Sequence, residues 1–215
     1  MTPAPPGQFG TVYIVDDDTS FLRSVSRLLR AVGYTVETFT AAEELLERIG
    51  PDLSGCVVAD LQMPGMCGLE LQKALRKSAN PMPIIFLTGR GDIPTSVNAM
   101  RGGAEDFLTK RAPKEELLAA IERALKRDVQ EREQRERLRH LRRRFDELSP
   151  RELEVLGHVV RGKMNKEIAA DLNLNERTVK LHRTGITRKL KVQSVAELTR
   201  LADEARLFST FPKGQ

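Results

Sequence analysis

The residues from Thr11 to about Ala120 alternate between short apolar runs and longer amphipathic stretches. Because this alternation repeats five times, it predicts βα units whose strands form a single parallel sheet. We therefore predict a doubly wound α/β domain. Its strands are expected near Thr11–Val15, Tyr34–Phe39, Gly55–Asp60, Met82–Thr88 and Ala104–Thr109. Its helices are expected to begin near Ser20, Ala41, Gly68, Ile93 and Lys114.

Carboxylates directly follow the first and third of these strands. Asp60 ends the apolar run Cys56–Ala59, and Asp16–Asp18 follow the first strand. In the strand order 2-1-3-4-5 these two strands are neighbours where the order reverses, which is where such sheets bind ligands. Asp16, Asp17 and Asp60 should therefore share one crevice, where like charges either raise a pKa or require a cation. Oxygen ligands with open coordination positions suit Mg²⁺.

Two more polar side chains are expected at the same edge of the sheet. Thr88 ends the fourth strand, and Lys110 follows the fifth, where its ammonium can pair with a carboxylate or with phosphate oxygens. Each residue alone has an ordinary explanation, since Asp after a strand is often a turn former or a helix cap. Thr88 could be a plain strand end and Lys110 a surface charge. Their joint position at the ends of four strands favours a functional site.

The sequence changes character beyond Leu125. Lys126–Arg144 consists almost entirely of charged residues and Gln, with no Gly or Pro to interrupt a helix. Apolar positions return at Leu138, out of phase with the earlier helix face, so we predict a solvent-exposed helical linker over residues 123–147 and no continuous coiled coil. Acidic residues exceed basic ones by three in residues 1–121, but basic residues exceed acidic ones by five in 122–145 and by three in 146–215. This basic half favours a nucleic-acid partner, although a solvated charged surface would have the same composition.

Residues 148–208 have the pattern of four short helices. The second is predicted over Lys166–Leu172 with Asn165 as its N-cap, and the third over Glu176–Leu190. The short turn Asn173–Asn175 between them is typical of a helix-turn-helix, so we predict an all-α four-helix domain of that kind. Capping boxes are predicted at three helix starts along the chain, Thr40–Glu43, Ser149–Glu152 and Ser194–Glu197.

The third helix of this domain has an apolar face and a basic face. Val179, Ile186 and Leu190 can face the core at helical spacing. A helix-turn-helix presents the first turns of this helix to the major groove, where basic residues can read guanine and an apolar one can contact a thymine methyl. The candidate base contacts are Lys180, Leu181, His182, Arg183 and Thr184, and the candidate phosphate contacts are Arg188 and Lys189. A packing role for His182 and a solvated surface role for each lysine remain open.

Composition narrows the class of protein. No apolar stretch is long enough to span a membrane, and the Pro-rich residues 1–10 lack the features of a signal peptide. We therefore expect a soluble, cytoplasmic protein without membrane contact, with a disordered N-terminus over residues 1–10 and a tail over residues 209–215. Cys56 and Cys67 have neither CxxC spacing nor a neighbouring His, so we expect reduced thiols.

Several of these residues together resemble the receiver domain of two-component response regulators, across residues 11–122. The matching residues are Val15-Asp16-Asp17, Asp60 with Met63-Pro64 and Gly68, Thr88-Gly89, and Phe107 followed by Lys110. The resemblance implies a flavodoxin-like (βα)5 fold in which Asp60 accepts a phosphoryl group from a sensor histidine kinase. It also implies a Mg²⁺ site, a lysine that pairs with the phosphoryl group, and a switch pair that moves when the group is added. By this resemblance, the Mg²⁺ ligands are Asp16, Asp17, Asp60 and the Gln62 carbonyl. Lys110 is the lysine that pairs with the phosphoryl group, and Thr88 and Phe107 are the switch pair. The family usually has Pro after this lysine, often across a cis bond, whereas this chain has Arg111.

The second half of the chain resembles the LuxR-type four-helix effector. The matching segments are Leu148–Glu152, Asn165–Ala169 and Thr178–Arg183. The whole chain thus resembles the FixJ/NarL group of response regulators, and Val179–Leu190 is also similar to the regulators of styrene and toluene catabolism. This resemblance implies a transcription factor that works with RNA polymerase and that dimerises when phosphorylated, through its fourth helix and fifth strand, to bind double-stranded DNA.

Two other functions are compatible with parts of the sequence. Haloacid-dehalogenase phosphatases also use an aspartyl-phosphate, and Asp16–Asp18 come close to their Asp-x-Asp after the first strand. The five-strand unit leaves no room for their cap domain, however, and Asp60-x-x-Met63-Pro64 has no counterpart there. A receiver with an RNA-binding output is the second alternative, against which the match over residues 148–190 argues for DNA.

Overall fold

The structure, a computed structural model, describes residues 10–50, 53–89 and 93–208. The chain divides into two compact units, Met1–Glu131 and Arg132–Gln215. The disorder predicted for the first residues and the tail predicted for residues 209–215 lie outside the described residues, except for Gly10.

The first unit contains a five-stranded sheet in the order β2-β1-β3-β4-β5, with parallel pairing throughout. The predicted strand order is therefore confirmed. The strands are β1 Thr11–Val15, β2 Thr35–Phe39, β3 Cys56–Ala59, β4 Ile84–Thr88 and β5 Asp106–Thr109. The helices are α1 Thr19–Val32, α2 Ala42–Arg48, α3 Gly68–Lys77, α4 Ile93–Arg101 and α5 Lys114–Phe145.

The core of this unit lies on both faces of the sheet. Side chains of α1 and α5 cover one face, and side chains of α2, α3 and α4 cover the other. Every residue of β3 and β4 is buried, because these central strands have helices on both sides. This explains why their sequences are uninterrupted apolar runs. Because β1 and β3 are parallel neighbours in this sheet, their carboxyl ends lie side by side at one edge of it.

Helix α5 is continuous from Lys114 to Phe145, which confirms the long helical linker. A few residues near the ends of the predicted linker segment are nevertheless buried. Asp128 is 2% exposed, and its Oδ2 accepts the Gly55 N–H at 3.0 Å. Arg123 and Arg127 pair with Glu105 and Asp106 at the start of β5. The first unit therefore includes the helix well beyond residue 122.

The other end of α5 contributes to the second unit. Phe145 is buried in its core, Arg142 donates to the Ala205 carbonyl at 3.0 Å, and Arg144 donates to the Leu190 carbonyl. The remaining helices are α6 Pro150–Val160, α7 Asn165–Leu172, α8 Glu176–Leu190 and α9 Val195–Glu204. The predicted core residues of α8, namely Val179, Ile186 and Leu190, are all fully buried.

The predicted helix caps are confirmed in part. Ser149 and Glu152 form the expected capping box, since the Ser149 N–H donates to Glu152 Oε2 at 2.8 Å and Ser149 Oγ accepts the Glu152 N–H at 3.2 Å. Ser194 accepts the Glu197 N–H, but the Glu197 carboxylate accepts from Gln193 rather than from Ser194.

Two caps were predicted at the wrong residues. The Thr40 N–H and hydroxyl both donate to Glu44, not Glu43, because α2 begins one residue later than expected. Asn165 is the first residue of α7, not its cap, and its side-chain oxygen accepts from Arg183.

Within the part of the chain that the structure describes, no helix combines the length and the apolar character needed to cross a membrane. Cys56 is buried and Cys67 is half-buried, and neither forms a disulfide. Burial raises the pKa of the Cys56 thiol.

Candidate functional site

Asp16 and Asp60 are brought together by the pairing of β1 with β3. Each follows the last residue of its strand, and these last residues, Val15 and Ala59, are direct partners in the parallel ladder. The Asp60 N–H also donates to the Val15 carbonyl at 2.9 Å. One carboxylate oxygen from each of Asp16, Asp17 and Asp60 lies within 4.8 Å of the others. The three carboxylates therefore meet where the sequence predicted an acidic crevice.

Lys110 places its ammonium between the two buried carboxylates. Its Nζ lies 2.6 Å from Asp16 Oδ2 and 2.8 Å from Asp60 Oδ2. The Lys110 N–H donates to the Thr88 carbonyl at 2.8 Å, so the lysine backbone is attached to the end of β4. Burial lowers the pKa of Lys110, but the hydrogen bonds to Asp16 and Asp60 outweigh burial and raise the pKa above its ordinary value. The side chain is therefore an ammonium at neutral pH.

The cluster has more negative than positive charge. In the described part of the chain it consists of three carboxylates and the Lys110 ammonium. Asp16 is 1% exposed, and its burial raises the pKa of its carboxyl group despite the opposing effect of Lys110. A divalent cation would supply the missing positive charge. Carboxylate oxygens are the ligands that Mg²⁺ prefers, so these residues fit a magnesium ion.

The carboxylate of Asp60 is oriented through both of its oxygens. Oδ1 accepts the Leu61 N–H at 2.6 Å, while Oδ2 faces Lys110. The Gln62 N–H lies 3.4 Å from the same Oδ1, and the predicted role of the Gln62 carbonyl as a metal ligand stays a prediction. Gly68 packs against this loop, because a Cβ there would lie 2.5 Å from the Asp60 carbonyl oxygen. Any larger residue at position 68 would displace the segment that carries Asp60.

The predicted switch pair lies on adjacent strands. Thr88 is the last residue of β4 and is 1% exposed. Phe107 is half-buried in β5 opposite Phe86, with ring centroids 6.2 Å apart. No cis peptide bond occurs among the described residues, so the bond between Lys110 and Arg111 is trans. A movement of Thr88 and Phe107 on phosphorylation stays a prediction.

Two contacts of the cluster were missed at the level of sequence. The ring centroid of Phe21, on α1, lies 4.5 Å from Lys110 Nζ. Glu43, on α2, accepts the Met66 N–H at 3.1 Å and so attaches the loop after Asp60 to that helix. In the sequence, Phe21 has the spacing of an ordinary apolar helix residue, and Glu43 has the position of a capping-box residue. Neither pattern indicates the contact that the structure shows.

A second candidate site lies along α8. Lys180, Thr184 and Arg188 are exposed, and so is Leu181, with 66% of its surface accessible. His182 and Arg183 are half-buried. An open groove beside the helix is lined by residues that include Asn165, Lys166, Lys180, Arg183, Thr184 and Thr187. The first turns of α8 thus present basic, polar and apolar groups on one accessible surface.

Two of the predicted DNA-binding residues have partners inside the second unit. Arg183 donates to Asn165 Oδ1 at 2.7 Å, which connects the start of α7 to α8. Lys189 Nζ lies 2.6 Å from Glu152 Oε2, and the Glu152 side chain is only 10% exposed. Burial raises the pKa of Glu152, but the hydrogen bonds from Lys189 and Ser149 outweigh it and lower the pKa. This ion pair gives Lys189 a structural role, so the geometry does not favour the predicted phosphate contact.

Comparison with known protein families covers both units. The family described as response regulator receiver domain matches residues 12–122, and the family described as bacterial regulatory proteins, luxR family, matches residues 146–202. The chain belongs to the response regulators. Response regulator protein TodT of Pseudomonas putida is 42% identical to it over 195 residues, which cover 91% of this chain and 86% of TodT. Transcriptional regulatory protein FixJ of Bradyrhizobium diazoefficiens is 36% identical over 201 residues, which cover 93% of this chain and 98% of FixJ.

A solved structure of the response regulator StyR is also similar. It has a TM-score of 0.70 and 44% sequence identity, and the match covers 91% of this chain and 98% of that chain. These similarities confirm the predicted combination of a receiver domain with a LuxR-type DNA-binding domain, as in transcriptional regulators. They favour neither the haloacid-dehalogenase alternative nor an RNA-binding output.

Proposed function

We propose that Asp60 accepts a phosphoryl group from a sensor histidine kinase, and that the phosphorylated response regulator binds double-stranded DNA as a dimer. The observation that best supports the first step is the position of the Asp60 carboxylate, 8% exposed and paired with Lys110 beside Asp16. A cation fixed next to the reacting carboxylate stabilises the charge that a phosphoryl group brings. The receiver-family match supports the same assignment.

In the proposed transfer, a carboxylate oxygen of Asp60 forms a bond to phosphorus. The bond from phosphorus to the kinase histidine nitrogen breaks, and its electron pair stays on that nitrogen. Lys110 is placed to pair with the phosphoryl oxygens, on which negative charge is spread during transfer. Mg²⁺, when bound, would neutralise part of this charge. Asp16, Asp17, Asp60 and the Gln62 carbonyl would hold it, since receiver domains generally bind Mg²⁺ at an acidic pocket.

Phosphorylation by acetyl phosphate in the presence of Mg²⁺ tests this assignment. We expect acid-stable, alkali-labile label on the wild type and none on Asp60→Asn or in the presence of EDTA. Asp18→Asn is the matched control, because the Asp18 side chain caps α1 by accepting from Ser20 and Phe21, and Asn is an equally good cap. If Asp60→Asn labels as well as the wild type, the phosphoacceptor is another residue.

For the output, we propose that the LuxR-type domain over residues 148–208 reads DNA through the first turns of α8. The base contacts would come from Lys180, Leu181, His182, Arg183 and Thr184. Asn165 would orient the Arg183 side chain for this contact. Arg188 would contact phosphate, since it is exposed on the same helix. The receiver domain over residues 11–122 would control this binding through the helical linker 123–147, and the bound protein would act on RNA polymerase.

The dimer is proposed to form through α4. Ile93, Val97 and Met100 recur at helical spacing and are 80%, 40% and 46% exposed. An apolar stripe of this kind marks an interaction surface, because burying it is favourable. Thr88 ends β4 and Phe107 lies in β5, and α4 connects these two strands along the chain. Movement of the switch pair would therefore be passed to α4.

Sedimentation and DNA titration, with and without phosphodonor, test the coupling. We expect the phosphorylated wild type to dimerise and to bind a two-half-site operator more tightly, because linking two half-site contacts makes the second one intramolecular. Val97→Glu should accept phosphate yet stay monomeric. Val129→Glu is the control, since Val129 is an exposed apolar residue of the first unit that lies on α5 and not on α4. A phosphorylated protein that stays monomeric while it saturates its operator would contradict the proposal.

A further inference from the structure

The Phe21 ring contacts the lysine of the proposed phosphorylation site. Its centroid lies 4.5 Å from Lys110 Nζ, inside the range of about 6 Å over which a cation is attracted to a ring face. Phe21 is half-buried near the start of α1 and packs against the core that α1 and α5 form on one face of the sheet. Its N–H donates to the capping carboxylate of Asp18 at 3.1 Å. The cap thus fixes the backbone of Phe21, and its ring packs against the core while the ring face meets the ammonium.

The Lys110 ammonium contacts Asp16, Asp60 and the Phe21 ring, and these three groups differ in what happens to them during the reaction. Asp16 and Asp60 are two of the residues that would share their oxygens with a divalent cation. A carboxylate that neutralises a metal ion attracts an ammonium less, and the metal ion itself repels the ammonium. Asp60 in addition loses its negative charge when it bonds to phosphorus. Of these three contacts, the Phe21 ring is the one that neither metal binding nor phosphoryl transfer alters.

We propose that Phe21 is a positioning residue for Lys110, whose ammonium its ring holds beside Asp60 during phosphoryl transfer. The proposal rests on Asp60 being the phosphoacceptor. The attraction arises from the negative face of the aromatic ring, so it depends on the electron density of the ring and not only on its volume. A residue that merely fills space at this position would be replaceable by an aliphatic side chain of similar size.

Substitutions at position 21 separate these two roles. Phe21→Leu keeps an apolar side chain but removes the ring face, and we expect labelling by acetyl phosphate to slow about two- to tenfold, the range that a cation–π contact corresponds to. Phe21→Tyr should restore the rate. In a Lys110→Ala background, Phe21→Leu should have no further effect. Leu28→Ala, which removes apolar volume from a half-buried position on the same helix, should leave the labelling rate unchanged.

Fluorinated phenylalanines at position 21 give a measurement that packing alone would not alter. Added fluorine atoms withdraw electron density from the ring face with little change in shape, so the logarithm of the labelling rate should fall steadily with their number. This series also decides the matter if Phe21→Leu proves poorly folded by circular dichroism. A rate that is independent of fluorination overturns the proposal.

A metal-free measurement checks the contact itself. In the NMR spectrum of the protein without phosphodonor or Mg²⁺, the ring should shift the ε-methylene resonance of Lys110, assigned through Lys110→Ala, and Phe21→Leu should abolish that shift. An unshifted resonance in the wild type contradicts the geometry. If Asp60→Asn labels like the wild type, the proposed phosphoacceptor has failed. If Asp60→Asn is inactive while all Phe21 variants label at the wild-type rate, only the role of Phe21 has failed.

Discussion

Two adjacent cations at the end of α8 are expected to have opposite roles. Lys189 is paired with the buried carboxylate of Glu152, whereas Arg188 is exposed. We predict that Lys189→Ala destabilises the LuxR-type domain and leaves the salt dependence of DNA binding unchanged. Arg188→Ala should leave the stability of the domain unchanged and reduce the salt dependence of DNA binding. The pair is a matched comparison, because both substitutions remove one positive charge from the same turn of one helix.

The cost of Lys189→Ala follows from the exposure of the two partners. The Glu152 side chain is 10% exposed and that of Lys189 is 32% exposed, so water reaches the pair mainly from the lysine side. Breaking a fully buried pair costs about 3–5 kcal/mol and an exposed one contributes about 0–1 kcal/mol, so we expect a loss of about 1–2 kcal/mol. Gly185 makes the contact close, since a Cβ there would lie 2.8 Å from Glu152 Oε1.

Hydrogen exchange and DNA titration measure the two effects separately. In the intact protein, amide exchange in α6 and α8 should be faster in Lys189→Ala than in Arg188→Ala or the wild type. On a nonspecific duplex, the slope of log K against log salt should become shallower by about 0.9 in Arg188→Ala, the value for one released counterion. Lys189→Ala should keep the wild-type slope.

The acid dependence of stability gives an independent check. The folded-state pKa of Glu152 lies below its ordinary value of 4.5, so its stabilising effect is present above that value and is lost as the pH falls through the lowered folded-state pKa. Lys189→Ala should weaken this acid sensitivity. The reasoning is refuted if Lys189→Ala makes the salt slope shallower while exchange in α6 and α8 stays at the wild-type rate.

Three further substitutions test other parts of the structure. Gly68→Ala should destabilise the fold by about 1–3 kcal/mol in thermal unfolding and slow the labelling of Asp60, because its Cβ would overlap the Asp60 carbonyl oxygen. Gly50→Ala is the control, since its Cβ would lie 3.8 Å from the nearest neighbour and should change neither measurement. Asp128→Ala should lower the free energy of urea unfolding by about 1–3 kcal/mol, because it leaves the buried Gly55 N–H without its acceptor. Asp128→Asn should lower it less, because an amide oxygen can still accept. Lys180→Ala should weaken binding to a selected operator by about 1–3 kcal/mol and relax the preference at one base pair, measured by titration of single-base operator variants.

The sequence predicted the sheet because its signals are local. Each strand is a short apolar run, the βα alternation indicates a parallel sheet, and 2-1-3-4-5 is a common strand order for doubly wound sheets. Asp16, Asp60 and Lys110 directly follow strands, so their convergence follows from the strand order alone. The same argument worked for α8, where Val179, Ile186 and Leu190 define the buried face through helical spacing.

Apart from the two misplaced helix caps, the errors and omissions concern contacts between elements that are distant in sequence. The predicted linker contained Asp128, and in the sequence this residue is one of many charges in a helix expected to be exposed. In the fold it accepts from Gly55, which lies 73 residues away along the chain. Likewise, 37 residues separate Lys189 from Glu152. Such pairs depend on the angle at which two helices or a helix and a sheet pack, and apolar periodicity specifies the buried face of a helix but not that angle.

The partner of a charged residue therefore carries more functional information than its position on a basic face. Arg183 and Lys189 both lie on the basic helix α8, and sequence alone assigned both to DNA. Arg183 is bound by the neutral side chain of Asn165, which leaves the positive charge available to an anion or a guanine while fixing where the guanidinium points. Lys189 is bound by a carboxylate that neutralises it. Asn165→Ala should accordingly lower sequence discrimination by freeing Arg183, with little change in nonspecific affinity, because no charge is lost. If Asn165→Ala weakens binding to specific and nonspecific duplexes equally, Arg183 acts as a phosphate contact and its proposed role in base recognition is wrong.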